Sequence, residues 1–210
     1  MTMDRRTWLL SVGAVLLSTE RVARAAPSLD EALATIGKAR DGLRTLTGPF
    51  TQERTIGLLA TKVKSTGTLA LARPDRLRWE LAAPDSVVYW VGPEGLAYRS
   101  ARGGQGRLPP TQARVAAALE DLRTVLAGDL AALQKRYELA FGEGADASAF
   151  AFSATPRDPA AKLKRVEFVL DAKSGVPRRV VLVEGAKDKT EIVFGALSIN
   201  AEIPAADLRF

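Results

Sequence analysis

Arg73 stands at the end of a leucine row, which makes it the sharpest chemical signal in the chain. In the stretch from Gly67 to Leu81, a strand places residues two apart on one face, so Leu69, Leu71 and Arg73 point together. Pro74 disfavours helical backbone at Arg73 and so preserves that phase. Beyond a turn, Leu77, Trp79 and Leu81 share one face, while Arg76, Arg78 and Glu80 share the opposite, wetter one. An arginine in register with leucines either snorkels at the sheet rim or reaches into an apolar interior. The pattern alone points to the rim.

Nucleophilic and acid–base chemistry has little to work with. The 210 residues contain no histidine and no cysteine. That removes Ser-His-Asp and Cys-His machinery, imidazole zinc sites, thiolate sites and disulfide frameworks. No Gly-x-x-x-x-Gly-Lys-Ser/Thr phosphate cradle and no Ser-x-x-Lys pair occurs. Gly142 to Ala147 imitates a dinucleotide fingerprint, but it lies between two predicted strands and opens no helix, so it reads as a hairpin loop. The acid pairs Asp30/Glu31 and Glu120/Asp121 fall on predicted helices and read as solvated helix charge rather than a glycosidase pair. A binding protein without cofactor or metal is expected, not an enzyme.

The elements that must hold these residues can be traced along the chain. Asp4-Arg5-Arg6 followed by the apolar run Trp8 to Leu17 and Ala23-Arg24-Ala25 reads as an export signal cleaved near Ala25, leaving a domain of residues 26–210. The run is far shorter than the ~20 residues that span a bilayer, and both Sec and twin-Arg export remain open. Cleavage would remove four arginines and two acids, lowering the net charge from +6 to +4. That is too diffuse a basic balance for a nucleic-acid surface.

Ser28 to Glu31 has capping-box spacing, and Leu29, Leu33, Ile36, Leu43 and Leu46 predict a helix to about Thr47. Strands are predicted over 50–56, 62–73, 76–81, 87–91 and 96–99. A flexible loop at Gly103 to Gly106, then helices over 112–126 and from Asp129 to about Arg136, follow. Strands return over 137–141, 150–154, 163–170, 178–183, 190–194 and 197–199. This order predicts a mostly β (α+β) fold: one large, curled antiparallel sheet with few helices against one face.

Phe50-Thr51-Gln52, then Gly67, then Arg73-Pro74-Asp75-Arg76-Leu77-Arg78-Trp79, and the ending Ile203-Pro204 to Phe210 together resemble the LolA family of periplasmic lipoprotein carriers. The resemblance runs the length of the mature chain. It implies an unclosed antiparallel β-barrel with short helices as a lid over an apolar cavity for lipoprotein acyl chains. It also implies loading by an inner-membrane ABC lipoprotein transporter and delivery to an outer-membrane acceptor, with the carrier itself a monomer that binds no nucleic acid. On this resemblance Arg73 matches the family's lid-holding arginine, which shifts its expected place towards the interior, and Leu77 matches a cavity-lining position. The acyl cavity is expected to comprise Phe50, Leu69, Leu71, Arg73, Leu77, Trp79, Leu81 and Tyr89. The chain departs from the family pattern in its aliphatic Leu77, in Gly92-Pro93-Glu94-Gly95 where an Asp-Gly-aromatic turn is usual, and in stopping at Phe210.

Two rivals stand beside the carrier. One is a binding module of the same fold for another lipid or amphiphile, or a sensor domain for envelope stress. The other is an acyl hydrolase, opposed by the missing histidine and cysteine.

Overall fold

Capping chemistry starts the first helix, α1 (Leu29–Ala39). Ser28 Oγ accepts from the Glu31 amide, and the Glu31 carboxylate accepts from the Ser28 amide at 2.8 Å. The computed structural model describes residues 27–57, 61–109 and 112–210, so the export signal expected over residues 1–25 lies outside the described residues.

The helix is shorter than its periodicity predicts. It ends at Ala39 instead of near Thr47, and Leu43 and Leu46 are buried by other means. The reason is competition from the strand that follows. β1 (Thr45–Ile56) pairs with β2 (Thr61–Ala72) along its whole length, from Thr45↔Ala72 to Ile56↔Thr61. That ladder takes residues 45–47 from any helix, while Gly42 weakens helical continuation before them.

The chain then meanders through β3 (Arg76–Leu81), β4 (Val87–Gly92), β5 (Gly95–Ser100) and β6 (Gln105–Arg107). β6 replaces the flexible loop expected at Gly103 to Gly106. Gly103 and Gly104, at φ of 90° and 113°, turn the backbone tightly enough for Gln105 to pair with Arg99. Two helices follow, α2 (Ala113–Ala127) and α3 (Leu130–Arg136). A second meander holds β7 (Tyr137–Phe141), β8 (Ala149–Pro156), β9 (Arg165–Asp171), β10 (Pro177–Val183) and β11 (Lys189–Phe194), with β12 (Ser198–Ile199) returning to pair with β1.

The result is a twelve-stranded antiparallel sheet in the order β6-β5-β4-β3-β2-β1-β11-β10-β9-β8-β7, with β12 beside β1. The seam between the two meanders is β1–β11, where Phe50 faces Phe194. No pairing joins β6 to β7 among the described residues, so the barrel stays unclosed. α2 and α3 form the covalent link between those two edges, and α2 packs against β2, β4 and β10. The helix therefore lies across the concave face and touches both meanders.

Candidate functional site

Alternation along the strands decides which side chains meet the helices. Register places Leu46, Phe50, Leu69, Leu71, Leu77, Trp79 and Val91 on the concave face, and all are buried. Leu119, Leu122, Val125 and Leu126 of α2 cover them, joined by Ile36 of α1 in a single apolar cluster. Phe50 stacks on Trp79 at a centroid distance of 3.6 Å, and Trp79 meets Phe194 edge-on at 6.4 Å. This half of the concave face is filled by leucines from the lid.

The other half is open. A groove of about 500 Å³ is lined by Ile56, Val63, Leu81, Val87, Tyr89 and Tyr98, with Gln52, Arg54, Ser65, Asp85, Ser100, Arg102 and Gln112 among its polar members. Its size lies within the ~300–1,000 Å³ typical of small-molecule pockets. Leu81 pairs with Val87 and Tyr89 with Tyr98, so the groove floor continues the apolar row that begins at Leu77 and Trp79. Ser65 Oγ donates to Asp85 Oδ2 at the groove wall. Burial, with Asp85 close by, raises the pKa of the Tyr89 hydroxyl above its ordinary value.

The eight residues singled out in the sequence thus fall in three places. Phe50, Leu69, Leu71, Leu77 and Trp79 lie under the lid, and Leu81 and Tyr89 line the open groove. Arg73 belongs to neither: it is exposed at the far rim, as the period-2 pattern alone indicates, and does not reach the interior. Its Nη1 donates to the carbonyls of Arg40 at 2.9 Å and Leu43 at 3.1 Å, in the turn after α1. Both carbonyls lie past the end of the helix, that of Arg40 also accepting from the Leu43 amide at 3.0 Å, and they hold the guanidinium outward.

Polar contacts anchor α2 along its C-terminal half. Asp121, buried, accepts from Tyr137 OH at 2.5 Å and lies 2.7 Å from Arg136 Nη1. Burial raises the Asp121 pKa despite these partners, and burial together with Asp121 raises that of Tyr137. Arg123 Nη1 donates to the Pro74 carbonyl at 3.1 Å.

Arg40, which carries no motif in the sequence, is only 2% exposed, as deeply buried as Asp121. Its Nε donates to Gly175 O at 2.6 Å and its Nη1 to Val125 O at 2.7 Å. Burial, with the neighbouring Arg73 guanidinium, lowers its pKa to about 10. Only the positive φ of Gly128 and Gly175, the residues it packs on, hints at such a guest, and both sit in turns where glycine is unremarkable.

A family profile described as outer membrane lipoprotein carrier protein LolA matches residues 41–210. The chain belongs to the LolA family. It is 24% identical over 204 residues to an outer-membrane lipoprotein carrier protein of Azotobacter vinelandii, covering 93% of this chain and 92% of the relative. It is 28% identical over 210 residues to the protein of that name from Alkalilimnicola ehrlichii, covering 94% and 89%. Among solved structures, an uncharacterized conserved protein from Thermus thermophilus superposes at a TM-score of 0.54 with 11% identity, over 88% of this chain and 94% of that one. MucB in complex with MucA(peri) superposes at 0.47 with 16% identity over 87% of this chain, which spans 60% of that protein's length. The LolA-family fold, an unclosed antiparallel sheet with short helices on its concave face, is the one observed.

Proposed function

We propose that this protein carries the acyl chains of lipoproteins across the periplasm, holding them on the concave face beneath α2. The observation behind this reading is the continuity of one apolar surface from the covered half at Trp79 to the open groove at Leu81 and Tyr89. The names of the Azotobacter and Alkalilimnicola relatives support the choice of cargo. An acyl chain enters at the groove, and lifting α2 exposes Phe50, Leu69, Leu71, Leu77 and Trp79 to extend its path. Arg73 acts from the rim, on the segment that holds the lid.

Energetics explain why the cavity is filled at rest. Burial of a sixteen-carbon chain at about 0.8 kcal/mol per CH₂ approaches roughly 12 kcal/mol. A rigid, empty pocket of that affinity would not release its cargo. Lid leucines that already occupy the face offset part of the gain, since acyl chains must displace them. Loading is driven by an inner-membrane ABC transporter and release by an outer-membrane acceptor, because binding alone supplies no direction. The role is binding and transfer, without bond-breaking chemistry.

The test is native mass spectrometry of the purified chain with a tripalmitoyl lipopeptide and with the same peptide lacking acyl chains. A one-to-one complex with the acylated form alone is expected. Failure to bind the acylated form, or equal binding of both, overturns the reading.

A further inference from the structure

We infer that Arg40 is the positioning residue of the lid, and that Arg73 acts on the lid through Arg40 without touching it. The inference rests on the carrier reading for its purpose, but its geometry is that of the lipid-free chain.

One guanidinium ties three parts of the molecule together. Arg40 follows α1, Val125 lies in the last turn of α2, and Gly175 lies in the turn between β9 and β10. Nη1 and Nε donate to the carbonyls of the last two, so the side chain fixes the C-terminal end of the lid against the second meander. The surroundings are shaped for it. A Cβ on Gly128 would stand 2.4 Å from Arg40 Nη1, and one on Gly175 would stand 2.7 Å from its Cγ. Nη2 is buried without a hydrogen-bond partner, so the closed arrangement leaves one donor unsatisfied, and lid opening would let water reach it.

Arg73 bonds to something else. Both of its acceptors, Arg40 O and Leu43 O, belong to the turn that carries Arg40, and among the described residues it makes no hydrogen bond to α2 or α3. The chain of contacts runs from Arg73 to the turn, from the turn to the Arg40 guanidinium, and from there to Val125. Arg123 makes a separate link from α2 to the Pro74 carbonyl, which does not involve the Arg73 side chain.

Two groups acting in series give non-additive effects, and two acting in parallel give additive ones. The experiment is backbone amide exchange across Leu122–Ala127, in the lipid-free full chain, for wild type, Arg40→Met, Arg73→Leu and the double variant. Each single substitution is expected to speed exchange there by roughly tenfold while β3 and β4 keep wild-type protection. The double variant is expected to match Arg40→Met. Acceleration in the double variant equal to the product of the two singles overturns the inference, as does wild-type exchange in Arg40→Met. Should Arg40→Met lack a cooperative melt, Arg40→Lys takes its place, because one ammonium cannot span both carbonyls. No lipid is present, so a negative result here leaves the carrier reading intact, and failed lipopeptide binding leaves this one intact.

Discussion

Phe50 and Trp79 lie on strands that are not neighbours, yet their rings stack at 3.6 Å with planes 18° apart. Strand β2 runs between them, and the contact exists because β2 presents Gly67 opposite Phe50. The Phe50 ring folds over the space a side chain would fill. This one stack welds β1 to β3 above the backbone and sets the floor on which the lid leucines rest.

Gly67→Ala should therefore be costly although its backbone is ordinary extended strand. The added Cβ would stand 2.1 Å from the Glu80 carbonyl and 2.4 Å from Phe50 Cζ, and the carbonyl cannot step aside without breaking the β2–β3 ladder. A loss of about 1–3 kcal/mol is expected in denaturant unfolding. Unchanged stability would mean the stack is not held as described.

Leu77 and Leu81 share one strand face but should respond oppositely to a carboxylate. Leu77 is 1% exposed beneath the lid, so Leu77→Glu should cost several kcal/mol and abolish cooperative melting. Leu81 is half-buried at the groove, where water can reach a carboxylate, so Leu81→Glu should melt near wild type and lose lipopeptide binding. Melting curves and native mass spectra of the two variants check this pair, and similar melting in both would count against a filled half and an open half.

Acid stability should depend on the β9–β10 turn. Asp171 accepts from the Ser174 and Lys173 amides and pairs with Arg178 at 2.6 Å. The Ser174 amide first, and Arg178 next, lower its pKa from 3.8 to about 2. A carboxyl held below its unfolded value stabilises the fold above that unfolded value, and the stabilisation fades as pH falls from 3.8 towards about 2. Asp171→Asn should flatten the stability curve in that window. Asp121 has the opposite sign: its pKa is raised by burial, so its contribution weakens as pH rises above the ordinary carboxylate value. Urea midpoints measured from pH 2 to 6 for Asp171→Asn and Asp121→Asn separate the two slopes.

Trp90 should secure the last residues of the chain. Its Nε1 donates to the Asp207 carbonyl at 3.0 Å, and its ring meets Phe210 edge-on at 5.6 Å. Trp90→Phe keeps a ring but loses the donor, at a cost of about 1 kcal/mol. Limited proteolysis should then clip residues 200–210 sooner than in wild type, with the sheet itself resistant.

Much of the fold is legible in the sequence because strand alternation repeats. The face shared by Leu77, Trp79 and Leu81, and the opposite face with its Arg76–Glu94 and Arg78–Glu80 pairs, follow from period two alone. The end of α1 is not legible, since Leu43 and Leu46 fit a helix locally and only pairing with β2 reassigns them. The site is legible in part. Spacing collects the concave residues, but whether each is covered or open depends on where α2 lies, a tertiary fact. Arg40 is hidden for the same reason: its acceptors, Val125 and Gly175, lie far along the chain in segments that carry no signal for it.

The seam at Phe50 and Phe194 also sets the order in which the molecule can assemble. Each meander consists of hairpins between neighbouring segments, which close quickly because little chain entropy is lost. Among the described residues, only the seam along β1, with β11 and the short β12, pairs strands from distant parts of the chain. Before it forms, two half-sheets each present a long unpaired edge, and the apolar face of α2 has a floor on one side only. Those edges invite pairing with other chains. A slow final step, sensitive to protein concentration and speeded by whatever shields β1 and β11 from one another's copies, is the kinetic consequence of this topology.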